Sequence, residues 1–216
     1  MPDAVTVVIS AAGLGTRLGL NVPKALVEVA GEPVLKRQLA ELRDVRDVVV
    51  VAGYRSQLVL DLLRELRPDV RVALNHEFSS TGTAASLARA AAVAEPWIVS
   101  LDGDLLTRAR DLRAVLEHPR SCLGITTVRS EQPVWATVDG GDRVVDLSDT
   151  VPASWEWSGL AKIERDVALE LGTQHVFQGL LPHLPMDAIV VDCVEIDELA
   201  DLQRAEAWVR GSAGGH

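Results

Sequence analysis

A glycine-containing loop after an apolar run is the segment whose residue types point most directly to chemistry. The run 5–11 leads into Ala11-Ala12-Gly13-Leu14-Gly15-Thr16-Arg17-Leu18, and Pro23-Lys24 follows. Glycines at the end of a strand let the backbone approach a ligand closely, and exposed amides there can cradle phosphates. Arg17 and Lys24 add positive charge beside them. The loop therefore predicts a site for a phosphate-bearing ligand.

A pair of carboxylates follows a later apolar run. The run 97–101 leads into Asp102-Gly103-Asp104. Ligands in open α/β sheets bind at the carboxyl ends of the strands. An acid at that position can hold Mg²⁺, which prefers oxygen ligands.

Two well-known phosphate-binding loops do not fit the glycine segment. A Walker loop needs Gly-Lys followed by Ser or Thr, and the sequence has none. A dinucleotide fingerprint needs a glycine at position 18, where this chain has Leu18. It also needs an acid at the end of the second strand, which here ends Val51-Ala52-Gly53-Tyr54. A turn without a ligand would leave Arg17 and Lys24 with no packing role.

Alternating strand-like and helix-like segments must position these residues. Apolar runs predict strands over 5–11, 48–52, 70–74 and 97–101, and helical spacing predicts helices over 33–42, 56–66, 83–94 and 111–117. This order predicts an α/β fold, with a Rossmann-like, mostly parallel sheet flanked by helices.

The pattern changes after about residue 121. Short strands over 122–128, 134–138 and 143–147 predict antiparallel hairpins, followed by a strand over 188–195 and a helix over 197–209. We expect one domain over 1–216. It has a nucleotide-binding half (1–120), a small strand-rich acceptor lobe (121–187), and a closing strand and helix (188–210).

Composition narrows the class of protein. The 216 residues are 48% hydrophobic and 24% charged, with a net charge of −10, which is typical of a globular domain and a poor match to general nucleic-acid binding. Cys122 and Cys193 lie in apolar runs, which predicts core residues. No apolar run is long enough for a bilayer span or a signal-peptide core, so we expect a cytoplasmic protein without a membrane partner, as a monomer or homodimer.

Taken together, the glycine segment and Pro23-Lys24 resemble the signature of nucleotidyltransferases that activate phosphorylated small molecules. These include sugar-1-phosphate uridylyl- and thymidylyltransferases and the phosphocholine-type cytidylyltransferases. The resemblance implies the nucleotide-diphospho-sugar transferase type of fold. It also implies transfer of a nucleoside monophosphate from a nucleoside triphosphate, with Mg²⁺ and release of pyrophosphate.

The resemblance also implies roles for individual residues. It assigns nucleotide binding to Ala11, Ala12, Gly13, Leu14, Gly15, Thr16, Gly82, Thr83 and Asp102. It assigns the metal to Asp104 and Asp197, with Glu195 as the alternative to Asp197. Arg17 and Lys24 would contact phosphates of the nucleotide, and Lys162, in a Gly-x-x-Lys strand, would contact the acceptor phosphate.

The acceptor and the base are less closely defined. The ending Glu195-Ile196-Asp197 and the stretch from Asn75 to Thr81 favour the small cytidylyltransferases, whereas the Gly82-Thr83 turn is closer to the uridylyltransferases. CTP is therefore favoured over UTP, with a small phosphate or phosphonate as acceptor. Three tryptophans near Glu156 could bind the acceptor as an aromatic cage for a quaternary ammonium, or could pack the lobe: Trp135, Trp155 and Trp157.

Other classes remain as alternatives. A sugar-1-phosphate uridylyl-, thymidylyl- or guanylyltransferase would use the same loop. A non-catalytic nucleotide-binding regulator would be expected to lack a metal acid or Lys24, yet all are present. A glycosyltransferase would explain Asp102-Gly103-Asp104 but not the glycine segment. A molybdenum-cofactor guanylyltransferase-like enzyme shares that segment but fits the Gly82-Thr83 turn and the Glu195-Ile196-Asp197 ending less well.

Overall fold

One large sheet carries strands from both halves of the chain. The computed structural model describes residues 4–15 and 18–212, and within these ranges nine strands form this sheet. The strands of the first half are β1 (Val5–Ala11), β4 (Asp47–Ala52), β5 (Arg71–Leu74) and β6 (Trp97–Asp102), and they pair in parallel. Those of the second half are β8 (Cys122–Thr126), β9 (Trp135–Val138), β10 (Arg143–Ser148), β11 (Trp155–Glu164) and β12 (Met186–Val190). The nine strands pair in the order β5-β4-β1-β6-β11-β8-β12-β10-β9.

Helices cover both faces of this sheet. They are α1 (Val34–Glu41), α2 (Ser56–Leu66), α3 (Thr83–Ala91), α4 (Ala109–Glu117), α5 (Arg165–Glu170) and α6 (Val176–Leu180). The remaining described helix, α7 (Leu199–Ser212), packs through Ala205 in a third apolar cluster beside the sheet. Val7 and Ile9 of β1 pack into one apolar cluster, while Val8 packs into another. Because successive side chains of a strand point to opposite faces, a strand buried on both faces needs a continuous apolar run. The predicted α/β fold with flanking helices is confirmed.

The second half of the sheet departs from the predicted hairpins. β9 and β10 do form an antiparallel hairpin, but β8 pairs in parallel with β12 and antiparallel with β11. The predicted strand 188–195 is two strands, because β12 ends at Val190 and a separate strand over 193–195 pairs outside the large sheet. A hairpin pattern read along the sequence cannot show that the long strand β11 inserts between β6 and β8.

Two small sheets lie beside the large one. β7 (Leu105–Thr107) pairs with β13 (Cys193–Glu195), and β2 (Glu28–Val29) pairs with β3 (Glu32–Pro33). Short 3-10 helices cover Lys24–Leu26 and Leu181–His183. Cys122 and Cys193 are buried and free, as predicted. None of the described helices has the length and apolar character needed to cross a membrane.

Candidate active site

A cleft of about 480 Å³ opens at the carboxyl ends of β1 and β6. Carboxyl ends of parallel strands are where open α/β sheets bind ligands. The cleft is lined by most of the residues singled out from the sequence, namely Ala11, Ala12, Gly13, Leu14, Gly15, Lys24, Thr83, Asp102, Asp104, Trp157, Glu195 and Asp197. Thr16 and Arg17 lie outside the described residues, so their predicted roles stay predictions.

Gly15 allows the glycine segment to lie directly against Lys24. Its φ is +60°, and a Cβ at this position would be 3.1 Å from Cγ of Lys24 and 3.2 Å from the carbonyl oxygen of Val22. Only glycine adopts this backbone conformation without strain and leaves room for the lysine stem. The segment and the lysine therefore form one wall of the cleft.

The three predicted metal carboxylates meet because two short strands pair. Leu105 of β7 is paired with Glu195 of β13, and the amide of Ile196 donates to the carbonyl oxygen of Asp104 at 3.1 Å. One oxygen from each of Asp104, Glu195 and Asp197 lies within 4.8 Å of the others. Carboxylate oxygens at this spacing suit a hard divalent cation such as Mg²⁺. The residues therefore fit the metal that the resemblance implied.

Lys24 joins two of these carboxylates. Its Nζ donates to Oδ2 of Asp104 at 2.7 Å and also to Oδ1 of Asp197. Burial disfavours the charged ammonium, but the carboxylates of Asp104 and Asp197 outweigh this effect and raise the pKa of Lys24 above its usual value. Asp197 lies two residues before the start of α7 at Leu199. Asp201 in the first turn of α7 accepts hydrogen bonds from the amides of Asp197 and Glu198, each at 2.9 Å.

Crowding of acids raises the pKa of two neighbouring carboxyls. Burial, followed by the negative charge of Asp104, raises the pKa of Asp102 to about 7. Burial, followed by the charges of Asp104 and Asp197, raises the pKa of Glu195 to about 9. Both acids are thus harder to ionise than ordinary carboxyls, and nearby positive charge favours their ionised forms.

Backbone contacts fix the turn that carries Asp102 and Asp104. Gln38 of α1 donates from Nε2 to the carbonyl oxygens of Asp102 and Leu105, both at 2.7 Å. Gly159 of β11 has a φ of +84°, and a Cβ there would be 2.4 Å from Oδ2 of Asp102. Neither contact was identified from the sequence, because the partners are 64 and 57 residues apart in the chain.

The Gly82-Thr83 turn meets a segment that the sequence analysis did not place in the site. The amide of Gly82 donates to the carbonyl oxygen of Thr173 at 2.7 Å, and the amide of Val176 donates to Oγ1 of Thr83 at 3.2 Å. This docking brings His175 and Phe177 to the cleft with their rings stacked 6.2 Å apart. Gly82 itself does not line the cleft, and its amide already has an acceptor in Thr173, so its role in nucleotide binding stays a prediction.

Lys162 is far from the cleft, which corrects its predicted contact with the acceptor phosphate. β11 runs antiparallel to β6, so each residue after Gly159 lies farther from the Asp102 end of the sheet. The Lys162 side chain is buried, and its Nζ donates to the carbonyl oxygens of Leu116 and His118 at 2.8 and 2.6 Å. It therefore stabilises the carboxyl end of α4.

We expect Lys162→Met to lower the free energy of unfolding by about 1–3 kcal/mol, because two partly buried carbonyls at the end of α4 lose a charged donor. Urea denaturation measures the change, and Lys36→Met, at an exposed lysine paired with Glu32, provides the matched control. Nucleotidyl transfer by the folded Lys162 variant should match that of the unaltered chain. A raised KM for the acceptor at unchanged stability would contradict this assignment.

The tryptophan cage does not assemble as predicted. Trp135 is paired with Glu156 in the β9–β11 ladder, so its side chain is on the opposite face of β11 from Trp155 and Trp157. Trp155 and Trp157 both pack against the apolar cluster on their own face, and of the three only Trp157 lines the cleft. Among the described residues, no ring contact joins any two of these tryptophans.

Similarity to known proteins decides the family. The family model described as "MobA-like NTP transferase domain" matches residues 7–204. This chain belongs to that family. Within it, a bifunctional protein GlmU from Clavibacter sepedonicus is 32% identical over 155 residues, which cover 68% of this chain and 30% of that protein. A GlmU from Syntrophomonas wolfei is 30% identical over 129 residues, covering 58% and 28%. The chain thus spans less than a third of the length of these relatives.

Solved structures agree with the family fold. The CTP:phosphocholine cytidylyltransferase LicC from Streptococcus pneumoniae superposes with a TM-score of 0.79 at 19% identity, covering 95% of this chain and 99% of that one. The inositol-1-phosphate CTP transferase from T. maritima gives 0.78 at 19% identity, covering 100% and 99%. At such identities the likeness shows the fold alone. Membership in the family makes the chain an NTP-transferase domain of the MobA-like kind.

Proposed function

We propose that this protein transfers a nucleoside monophosphate, CMP in preference to UMP, from a nucleoside triphosphate to a small phosphate or phosphonate acceptor. The observation that carries the proposal is the joint placement of Lys24, Asp104, Glu195 and Asp197 at one side of the cleft that the glycine segment lines. This arrangement combines a phosphate-binding wall with a set of oxygen ligands for a divalent cation.

The proposed reaction forms a bond between an acceptor oxygen and the α-phosphorus, and breaks the bond from that phosphorus to the leaving pyrophosphate. The acceptor is already an anion, so the residues need to position and neutralise charge rather than remove a proton. Lys24 would bind a phosphate oxygen, and Arg17 the pyrophosphate. Asp104 and Asp197, with Glu195, would hold Mg²⁺. When bound, this ion supplies positive charge to the phosphate oxygens.

A second cavity supports a small acceptor. It encloses about 200 Å³ and shares Glu156, Glu195 and Asp197 with the cleft, while the glycine segment lines only the cleft. Arg129 and Arg204 line its wall, and Glu156 holds the loop at Arg129 by accepting from that residue's amide at 2.8 Å. We propose that the acceptor approaches the carboxylates from this side, past Gln132 and Ser158, which line both cavities.

The preference for CTP rests on likeness. The Glu195-Ile196-Asp197 ending resembles the small cytidylyltransferases, and two structural neighbours are named for CTP. A second candidate is a sugar-1-phosphate nucleotidyltransferase. It is favoured by the GlmU relatives and by a structural neighbour described as a putative glucose-1-phosphate thymidylyltransferase from Bacillus anthracis, with a TM-score of 0.80 at 16% identity over 96% of both chains.

Pyrophosphate release tests both candidates. The purified protein with Mg²⁺ is assayed with CTP, UTP, dTTP, GTP and ATP, each combined with phosphocholine, inositol phosphate, sugar-1-phosphates and small phosphonates. Release with CTP and a non-sugar phosphate or phosphonate supports the first candidate. Release only with a sugar-1-phosphate favours the second. No release, together with no binding of any of the five nucleotides, would contradict the proposed site.

A further inference from the structure

We propose that Lys24 is an internal counter-ion that competes with the divalent cation for Asp104 and Asp197, so that metal binding moves its ammonium from these carboxylates toward the nucleotide phosphates. The inference rests on the proposed function, because it takes Asp104 and Asp197 as metal ligands. It adds a coupling between metal and nucleotide that the family assignment does not contain.

The contacts place the ammonium among the metal ligands. Lys24 Nζ contacts one oxygen of Asp104 and one of Asp197, and these two residues with Glu195 are the cluster suited to a cation. The side chains of Lys24, Asp104 and Asp197 are only 19%, 13% and 24% exposed. Partly buried charges are screened weakly, so an ammonium and a dication at the same oxygens would repel each other strongly. A cation that takes the oxygens contacted by Lys24 therefore displaces its ammonium.

The Lys24 ammonium also has a second position available, beside the glycine segment. The stem of Lys24 lies against Gly15, as the 3.1 Å approach of its Cγ to the position of a Gly15 Cβ shows. Rotation about the outer bonds of this side chain moves the charge between the carboxylates and the glycine segment without moving the backbone. Lysine suits such a role, because it is a compact charge on a flexible stem with rotatable donors.

The consequence is a reciprocal coupling. A triphosphate that draws Lys24 away from Asp104 and Asp197 raises the affinity for the metal, and the metal raises the affinity for the triphosphate by the same factor. Lys24 thereby neutralises part of the negative charge of Asp104 and Asp197 before the cation binds. It also limits metal binding by the protein alone.

Titration with Mn²⁺ alone, followed by electron paramagnetic resonance of the free ion, tests the competition without any turnover. Lys24→Met keeps the length of the side chain and removes the charge, so we expect it to bind Mn²⁺ about tenfold more tightly than the unaltered chain. Lys24→Gln should behave likewise, and Lys36→Met, at an exposed lysine of α1, should leave the affinity unchanged. Equal or weaker Mn²⁺ binding by both Lys24 variants would overturn the inference while leaving the metal site intact. No Mn²⁺ binding by any of these proteins would overturn the metal assignment, and with it the proposed function.

The unaltered chain allows a direct test that depends on no variant. It contains three lysines, Lys24, Lys36 and Lys162, so lysine side-chain NMR signals are few enough to assign individually. Addition of Mg²⁺ should shift the Cε–Hε signal of Lys24 and leave that of buried Lys162 in place. A Lys24 signal unchanged at saturating Mg²⁺ would show that the ammonium is not displaced.

Discussion

The Asp104→Asn variant is expected to lose kcat/KM for pyrophosphate release by about 10²- to 10³-fold, the range found when a group that stabilises charge in a transition state is removed. Asp104 contacts the Lys24 ammonium and belongs to the carboxylate cluster, so the substitution changes two interactions of the same site. Asparagine preserves the shape of the side chain and the backbone carbonyl that accepts from Ile196. The loss of kcat/KM should therefore come from the removed negative charge rather than from a change in the backbone turn that carries Asp104.

Asp146→Asn provides the matched control, because Asp146 is an exposed aspartate on β10. It should retain full activity in the same pyrophosphate assay. The Asp104 variant should also need more Mg²⁺ for half-maximal rate. If its kcat/KM stays within threefold of the unaltered chain at low and high Mg²⁺, Asp104 does not carry the chemistry that we propose.

The parts of the fold that could be predicted are those with a local signal. The helix predicted over 56–66 is α2 (Ser56–Leu66), and the strand predicted over 5–11 is β1 (Val5–Ala11). Both have apolar residues at a spacing set by their own backbone geometry. The glycine segment could be placed at the end of β1 for the same reason. A continuous apolar run that stops at glycines marks its own boundary.

The parts that could not be predicted depend on pairing between distant segments. β7 and β13 have three residues each, so neither shows a period, yet their pairing brings Asp104 to Glu195 and Asp197. The resemblance implied an acceptor contact for Lys162, but a Gly-x-x-Lys pattern says nothing about strand direction. Once β11 is known to run antiparallel to β6, the same lysine must lie away from the Asp102 end of the sheet, beside Val99.

His175 and Phe177 show a third kind of limit. Their segment has no motif, and it enters the cleft only because residues 173–176 dock on the Gly82-Thr83 turn. The one available signal was Gly82 itself. A Cβ there would be 2.2 Å from the carbonyl oxygen of Gln174, so the glycine marks a close approach of two backbones. A sequence shows that such a glycine exists but not which segment approaches it.

The raised pKa values of Asp102 and Glu195 predict that the protein, freed of divalent cations, becomes less stable as pH rises from about 5 to 8. Burial raises the pKa of Asp102 from 3.8 to about 7 and that of Glu195 from 4.5 to about 9. At a pH between the pKa of a carboxyl in the unfolded chain and its pKa in the folded chain, the native state holds a proton that the unfolded state has released. The free energy of unfolding therefore falls with increasing pH through this range.

Asp102→Asn should remove the Asp102 share of this dependence, because asparagine resembles the neutral acid and does not ionise. A shift of roughly three pKa units corresponds to about 4 kcal/mol at most, and we expect about half of this once the carboxyl relaxes on ionisation. Urea denaturation in a chelating buffer from pH 5 to pH 8 measures the slope, with Asp146→Asn again as the control. The Asp102 variant should show a shallower decline, and equal slopes in the two variants would contradict the assignment.

A divalent cation should reduce the fall of the free energy of unfolding with increasing pH. A cation bound by Asp104, Glu195 and Asp197 favours the ionised carboxyls, so it offsets the cost that ionisation imposes at high pH. Mg²⁺ should therefore raise the midpoint of thermal unfolding more at pH 8 than at pH 5. This difference should shrink in Asp104→Asn, where the cluster has lost one of its anionic ligands. A Mg²⁺ effect of equal size at both pH values would mean that the cation binds elsewhere than among these acids.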